Sequence, residues 1–88
     1  MYKIAVLGDY NSIYGFAALG LDTFPVEDPQ EGREKLNRLA ADEYAVIYIT
    51  EQLAEQLSAE ISRYSETLIP AIIQIPGISG NTGAGIEN

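Results

Sequence analysis

The chain has no cysteine, no histidine and no tryptophan. Without cysteine there is no disulfide framework, no thiolate nucleophile and no cysteine metal site, which fits a reducing compartment. Without histidine the commonest general base and the commonest metal ligand are missing together. Basic residues are scarce: five Lys and Arg stand against thirteen Asp and Glu, a formal charge of −8 at pH 7. Such a surface repels nucleic acid and anionic lipid, and suits a neutral or basic protein partner. Long hydrophobic runs are absent as well. No apolar stretch approaches the roughly 18 residues that a membrane span needs, and MYKIAVLGD lacks the order of a signal peptide. The expectation is a soluble cytoplasmic chain with no direct membrane insertion.

What is present suffices for one folded domain. The chain has 88 residues, 47% of them hydrophobic and 20% charged, which excludes a disordered or collagen-like class. Tyr2 to Leu7, YKIAVL, is a nearly continuous apolar run ended by Gly8 and Asp9, as in a strand buried on both faces. Asn11 or Ser12 can cap a following helix of about two to three turns, with Ile13, Phe16 and Ala17 on one face and Gly20 as its stop. Thr23 to Val26 reads as a short edge strand, because Pro25 removes a ladder donor. Asp28, Pro29 and Glu31 form a strong helix start, and the spacing predicts a helix to about Ala41 that buries Gly32, Leu36, Leu39 and Ala40.

Tyr44 to Ile49, YAVIYI, is the clearest strand and reads as central. Thr50 can cap the next helix. Leu53, Leu57, Ile61 and Tyr64 recur at three- and four-residue steps, which predicts one amphipathic helix from Glu51 to about Tyr64 with Glu51, Glu55 and Glu60 on its solvated face. Ala71 to Ile75, AIIQI, is a fourth strand entered through Pro70. The alternation predicts an α/β fold: a four-stranded parallel sheet, order 2-1-3-4, with helices on both faces, as in flavodoxins and receivers. A fourth strand in such a sheet needs a further helix to cover its face. The expected division is a compact domain at 1–76 and a glycine-rich connector at 77–88.

In such sheets ligands bind beyond the carboxyl ends of the strands, between the first and third. Gly8, Asp9, Tyr10, Asn11, Ser12, Thr50 and Glu51 would line that crevice, and none is a cation to neutralise phosphate. GDYNSIYG matches neither a Walker loop nor a dinucleotide fingerprint, and GISGNTGAG has no lysine and follows the last strand. The glycines there read as a connector. The receiver's chemistry fails too, since Asp9 stands alone, Thr50 replaces the aspartate that would end the third strand, and no lysine lies beyond Lys35. Asp9 reads as a capping or turn residue rather than a base or metal ligand. Tyr10 and Tyr14, four apart, are either half-buried aromatics or anchors of a protein interface.

The residues resemble the F subunit of V-type and archaeal A-type ATP synthases. The resemblance runs through YKIAVLGDYNSIYGFAALGLDTFPVED, DEYAVIYITEQLAEQL and RYSETLIPAIIQIPGISGNTGAG. Its most specific marks are Gly8, Asp9, Ser12, Gly15, Phe16, Leu19 and Gly20, then VIYITE at Val46 to Glu51, and Pro70 to Gly77. It implies a non-catalytic subunit of the rotary central stalk, bound to the coiled-coil D subunit and other subunits of the ATPase. Such a subunit is peripheral to the membrane, has no catalytic residues, cofactor or metal of its own, and helps couple ATP turnover to proton or sodium transport. Members of that family continue past the glycine loop into a C-terminal helix. This chain stops about where that helix begins, so the expectation is a truncated chain. The candidate partner-binding residues are Tyr10, Tyr14, Ile78, Asn81, Thr82 and Ile86. A small nucleotide- or flavin-binding domain and a degenerate receiver acting as a signalling adaptor are the alternatives.

Overall fold

A computed structural model of the protein describes residues 3–42 and 44–77. Four parallel strands pair in the order β2-β1-β3-β4: β1 is Lys3–Gly8, β2 Asp22–Pro25, β3 Tyr44–Thr50 and β4 Ala71–Ile75. The expected order holds, and the proline-containing strand lies at an edge. Three helices pack on one side, α2 at Pro29–Ala41, α3 at Glu51–Gln56 and α4 at Ser58–Tyr64. Their residues Leu36, Leu39, Leu53, Ala54 and Leu57 close over Ala5, Leu7, Ile47 and Ile49, with Phe24, Ile61, Tyr64 and Ile72 packed at the margin. Fully burying such side chains stabilises by about 1.5–3 kcal/mol each, which makes this layer the main source of stability. Between α2 and α4, Arg33 pairs with Glu60 at 2.9 Å and the Tyr64 hydroxyl donates to Asn37 Oδ1 at 2.7 Å. Glu60 is therefore half-buried and paired, unlike the exposed Glu51 and Glu55 with which its spacing grouped it.

The other side carries α1, Tyr10–Ile13, and a 3-10 segment, Tyr14–Leu19. The expected helix of two to three turns is thus one α-turn followed by tighter winding. Only Ile13 is buried, Phe16 is half-buried and Ala17 is exposed. Gly15 gives the reason: a Cβ there would meet nothing within 4 Å, so no close packing calls for glycine, and glycine costs about 0.8–1.0 kcal/mol relative to alanine in a helix interior. Gly20 ends the segment in the left-handed region, φ 87, as its position suggests. The cap is Asp9, not Asn11 or Ser12. Its Oδ2 accepts from the Ser12 amide at 3.2 Å and the Ser12 hydroxyl at 3.0 Å.

The predicted single helix over Glu51–Tyr64 is two, broken at Leu57 (φ −112, ψ 26). Leu57 is fully buried, and the break keeps Leu53, Leu57, Ile61 and Tyr64 on the core although the helical ladder is interrupted. Thr50 occupies the position before α3 but makes no side-chain cap; it is buried against Gly8 instead. Ala40 is only half-buried.

The start of α2 follows the sequence closely. Asp28 Oδ1 accepts from the Glu31 amide at 2.8 Å, and Glu31 Oε1 reaches back to the Glu27 amide at 2.9 Å, one residue before the usual partner. Replacing Asp28 by alanine is expected to cost about 1 kcal/mol in urea denaturation. An unchanged midpoint would show that the cap contributes nothing.

A register shift between Lys3 and Ile4, which pair with Tyr44 and Val46, leaves Ala45 without an opposite residue. The shift turns Tyr44 into the helical core, where its hydroxyl donates to Asp22 Oδ2 at 2.8 Å and its ring meets Phe24 edge-on at 6.0 Å. Burial first, then the bond to Asp22 and the charges of Asp22 and Asp42, push the Tyr44 hydroxyl up from 10.0 to about 12. The folded state therefore keeps a proton that the unfolded chain gives up. Its contribution is whole below about pH 10 and is lost as pH rises through about 12. The melting temperature should fall more steeply across that window in the parent chain than in Tyr44→Phe. Parallel profiles would contradict this assignment.

Candidate functional site

The crevice beyond the strand ends, between β1 and β3, is where this architecture holds ligands. It is narrow, about 100 Å³, and lined by Asp9, Val26, Glu27, Asp28, Thr50, Gln52, Leu53 and Gln56. Ligand pockets run to about 300–1,000 Å³. Three carboxylates face it without a cation. The Asp9 carboxylate is engaged in capping α1, and that of Asp28 in capping α2. Gly8 lets the strand end approach Thr50, whose methyl would overlap any Cβ placed there. A phosphate would meet negative charge and no lysine or arginine here. A larger hollow of about 450 Å³ between α3, the start of α4 and β4 is lined by Glu51, Gln52, Ala54, Glu55, Ser58 and Gln74, again without a cation. Among the described residues no group of three or more His, Cys, Asp or Glu could hold a metal ion.

Of the expected crevice residues, Asp9 and Thr50 line this cavity and Gly8 packs against Thr50, whereas Tyr10, Asn11 and Ser12 are not part of its lining and Glu51 lines the larger hollow instead. Gln52, which the sequence did not point to, also lines the crevice. Its Oε1 is buried beside Gly77 without a hydrogen-bond partner among the described residues. Gly77, placed by the sequence at the start of the connector, is itself buried, and a Cβ there would overlap that Oε1.

Tyr10 and Tyr14 are the candidates that the structure leaves available. They are 62% and 56% exposed, their rings 5.4 Å apart and tilted at 45°. The run from Tyr10 to Leu21 contains no charged residue, in a chain of net charge −8. Ile78, Asn81, Thr82 and Ile86 lie outside the described residues. Sequence reasoning did not single out Ile4, Val46, Tyr48 and Ile73, which share the α1 side of the sheet; the one signal was the need for a helix to cover the fourth strand. Among the described residues no helix is long and apolar enough to cross a membrane.

Residues 4–88 match the family described as ATP synthase (F/14-kDa) subunit. The V-type ATP synthase F subunit of Fusobacterium nucleatum is 44% identical over 88 residues, covering 100% of this chain and 84% of that protein. That of Clostridium perfringens is 43% identical over 86 residues, 97% of this chain and 82% of the relative. The A-type ATP synthase F subunit of Methanosphaera stadtmanae is 34% identical over 80 residues, 89% and 76% respectively. In three dimensions the chain is similar to the crystal structure of the V-type ATP synthase F subunit of Archaeoglobus fulgidus, with a TM-score of 0.73 at 18% identity. That match covers 84% of this chain and 96% of the other.

Proposed function

We infer the role of this chain from its family: it belongs to the one described as ATP synthase (F/14-kDa) subunit, and we propose that it is a non-catalytic subunit of the rotary central stalk. In this reading it binds the D subunit, turns with it, and helps couple ATP turnover to proton or sodium transport at the cytoplasmic side of the membrane. The glycine-rich residues 77–88 join the sheet domain to a C-terminal arm, and Ile78, Asn81, Thr82 and Ile86 belong to the contact with the stalk.

The observation that carries the non-catalytic reading is the chemistry of the strand-end crevice. Where the fold would hold a nucleotide, the cavity is about 100 Å³, and its lining includes Asp9, Glu27 and Asp28 but no lysine or arginine. Tyr10 and Tyr14 supply what a binding subunit needs, exposed aromatic area with little rotamer entropy to lose.

ATP titrated into the purified chain, followed by calorimetry, is expected to give no saturable heat, and the chain alone should hydrolyse no ATP. Saturable nucleotide binding would overturn the non-catalytic reading. Failure to co-purify with a co-expressed D subunit would overturn the stalk assignment.

A further inference from the structure

The α1 side of the sheet is covered unevenly. The elements packed there, α1 and the 3-10 segment, lie over β1 and β2. Pairing sets Ile4, Val46 and Ala71 in one row across β1, β3 and β4, and Val6, Tyr48 and Ile73 in the next. Burial fades along the second row, from fully buried Val6 through half-buried Tyr48 to Ile73, 43% exposed. Ile4 in the first row is 36% exposed. Ile72, one step along β4, packs on the opposite core, so Ile73 faces away from it. None of these α1-side residues is charged.

We propose that this open floor over β3 and β4 receives one amphipathic helix of the protein partner, its apolar stripe on Tyr48 and Ile73 and basic residues along its flanks. The inference rests on the stalk role proposed above and assigns it a surface. Two strands about 4.8 Å apart, with their side chains, make a strip about 10 Å wide, the diameter of a single helix. The partner's basic flanks follow from a chain with a net charge of −8. The same charge disfavours a second copy on this face, since it would bring another −8 to the contact.

Photo-crosslinking of the full chain with the purified D subunit tests this. A benzoylphenylalanine replaces Ile73, or Arg38 on α2 as the control on the opposite side. The expected result is a crosslink from position 73 to a single helix of the D subunit, with none from position 38. Ile73→Arg should weaken association at least about ten-fold at an unchanged melting temperature, and Ile73→Ser, without the added charge, should weaken it less. Crosslinks running from position 73 to residues 78–88 of the same chain, or to a second copy, would overturn the proposal. A complex that forms without any crosslink from position 73 would overturn this surface but leave the stalk role standing. Absence of any complex would sink both.

Discussion

Gly8→Val is expected to cost at least about 3 kcal/mol in urea denaturation, a large part of the roughly 5–15 kcal/mol that holds a domain together. The strand end has no room for a side chain. A Cβ at Gly8 would overlap Thr50 Cγ2, and would lie 2.9 Å from Thr50 Oγ1 and 3.2 Å from Ile13 Cγ2. Thr50 is 1% exposed and branched at Cβ, so it cannot swing away without breaking the packing between β1 and β3. Relief should therefore come from Thr50 itself. Gly8→Ala should be destabilised, and adding Thr50→Ser, which removes the overlapping methyl, should recover part of the loss. If the double variant is no more stable than Gly8→Ala, the close approach of these two strand ends is not what requires glycine. The same contact bears on the site, because Thr50 lines the crevice where this architecture holds ligands.

The second large effect falls on association. Tyr10→Ala combined with Tyr14→Ala is expected to weaken binding to the D subunit by at least about 2 kcal/mol, roughly 30-fold in Kd by calorimetry. The stability of the free chain should move by no more than about 0.5 kcal/mol, since both rings stand largely in solvent. Stability and affinity falling together would mean that the pair serves the fold. An unchanged Kd would remove it from the interface.

The fold could be read from the sequence where local signals and tertiary packing agree. Asp28, Pro29 and Glu31 mark the start of α2 because cap, φ restriction and reciprocal hydrogen bond all sit in adjacent residues. The apolar run at β3 marks the centre of the sheet because strands pair along both of its edges. The misses have tertiary causes. Nothing in YAVIYI announces that Ala45 is left over in the pairing with β1, yet that shift sends Tyr44 to Asp22 and Phe24. The three- and four-residue spacing from Leu53 to Tyr64 is right about which residues meet the core, and silent about the break at Leu57. Around α1, Gly15 is a local warning that the apolar spacing of Ile13, Phe16 and Ala17 outweighed. Of the candidate binding residues, Tyr10 and Tyr14 were visible from type and spacing. The open floor at Tyr48 and Ile73 was not, because an apolar residue in a strand reads the same whether or not a helix of this chain covers it.

The most direct test of the central claim, that this is a binding subunit of the stalk without chemistry of its own, is size-exclusion chromatography of the chain mixed with purified D subunit in the absence of nucleotide. The account predicts a single earlier peak containing both proteins at equal stoichiometry. Two separate peaks at every mixing ratio would contradict it.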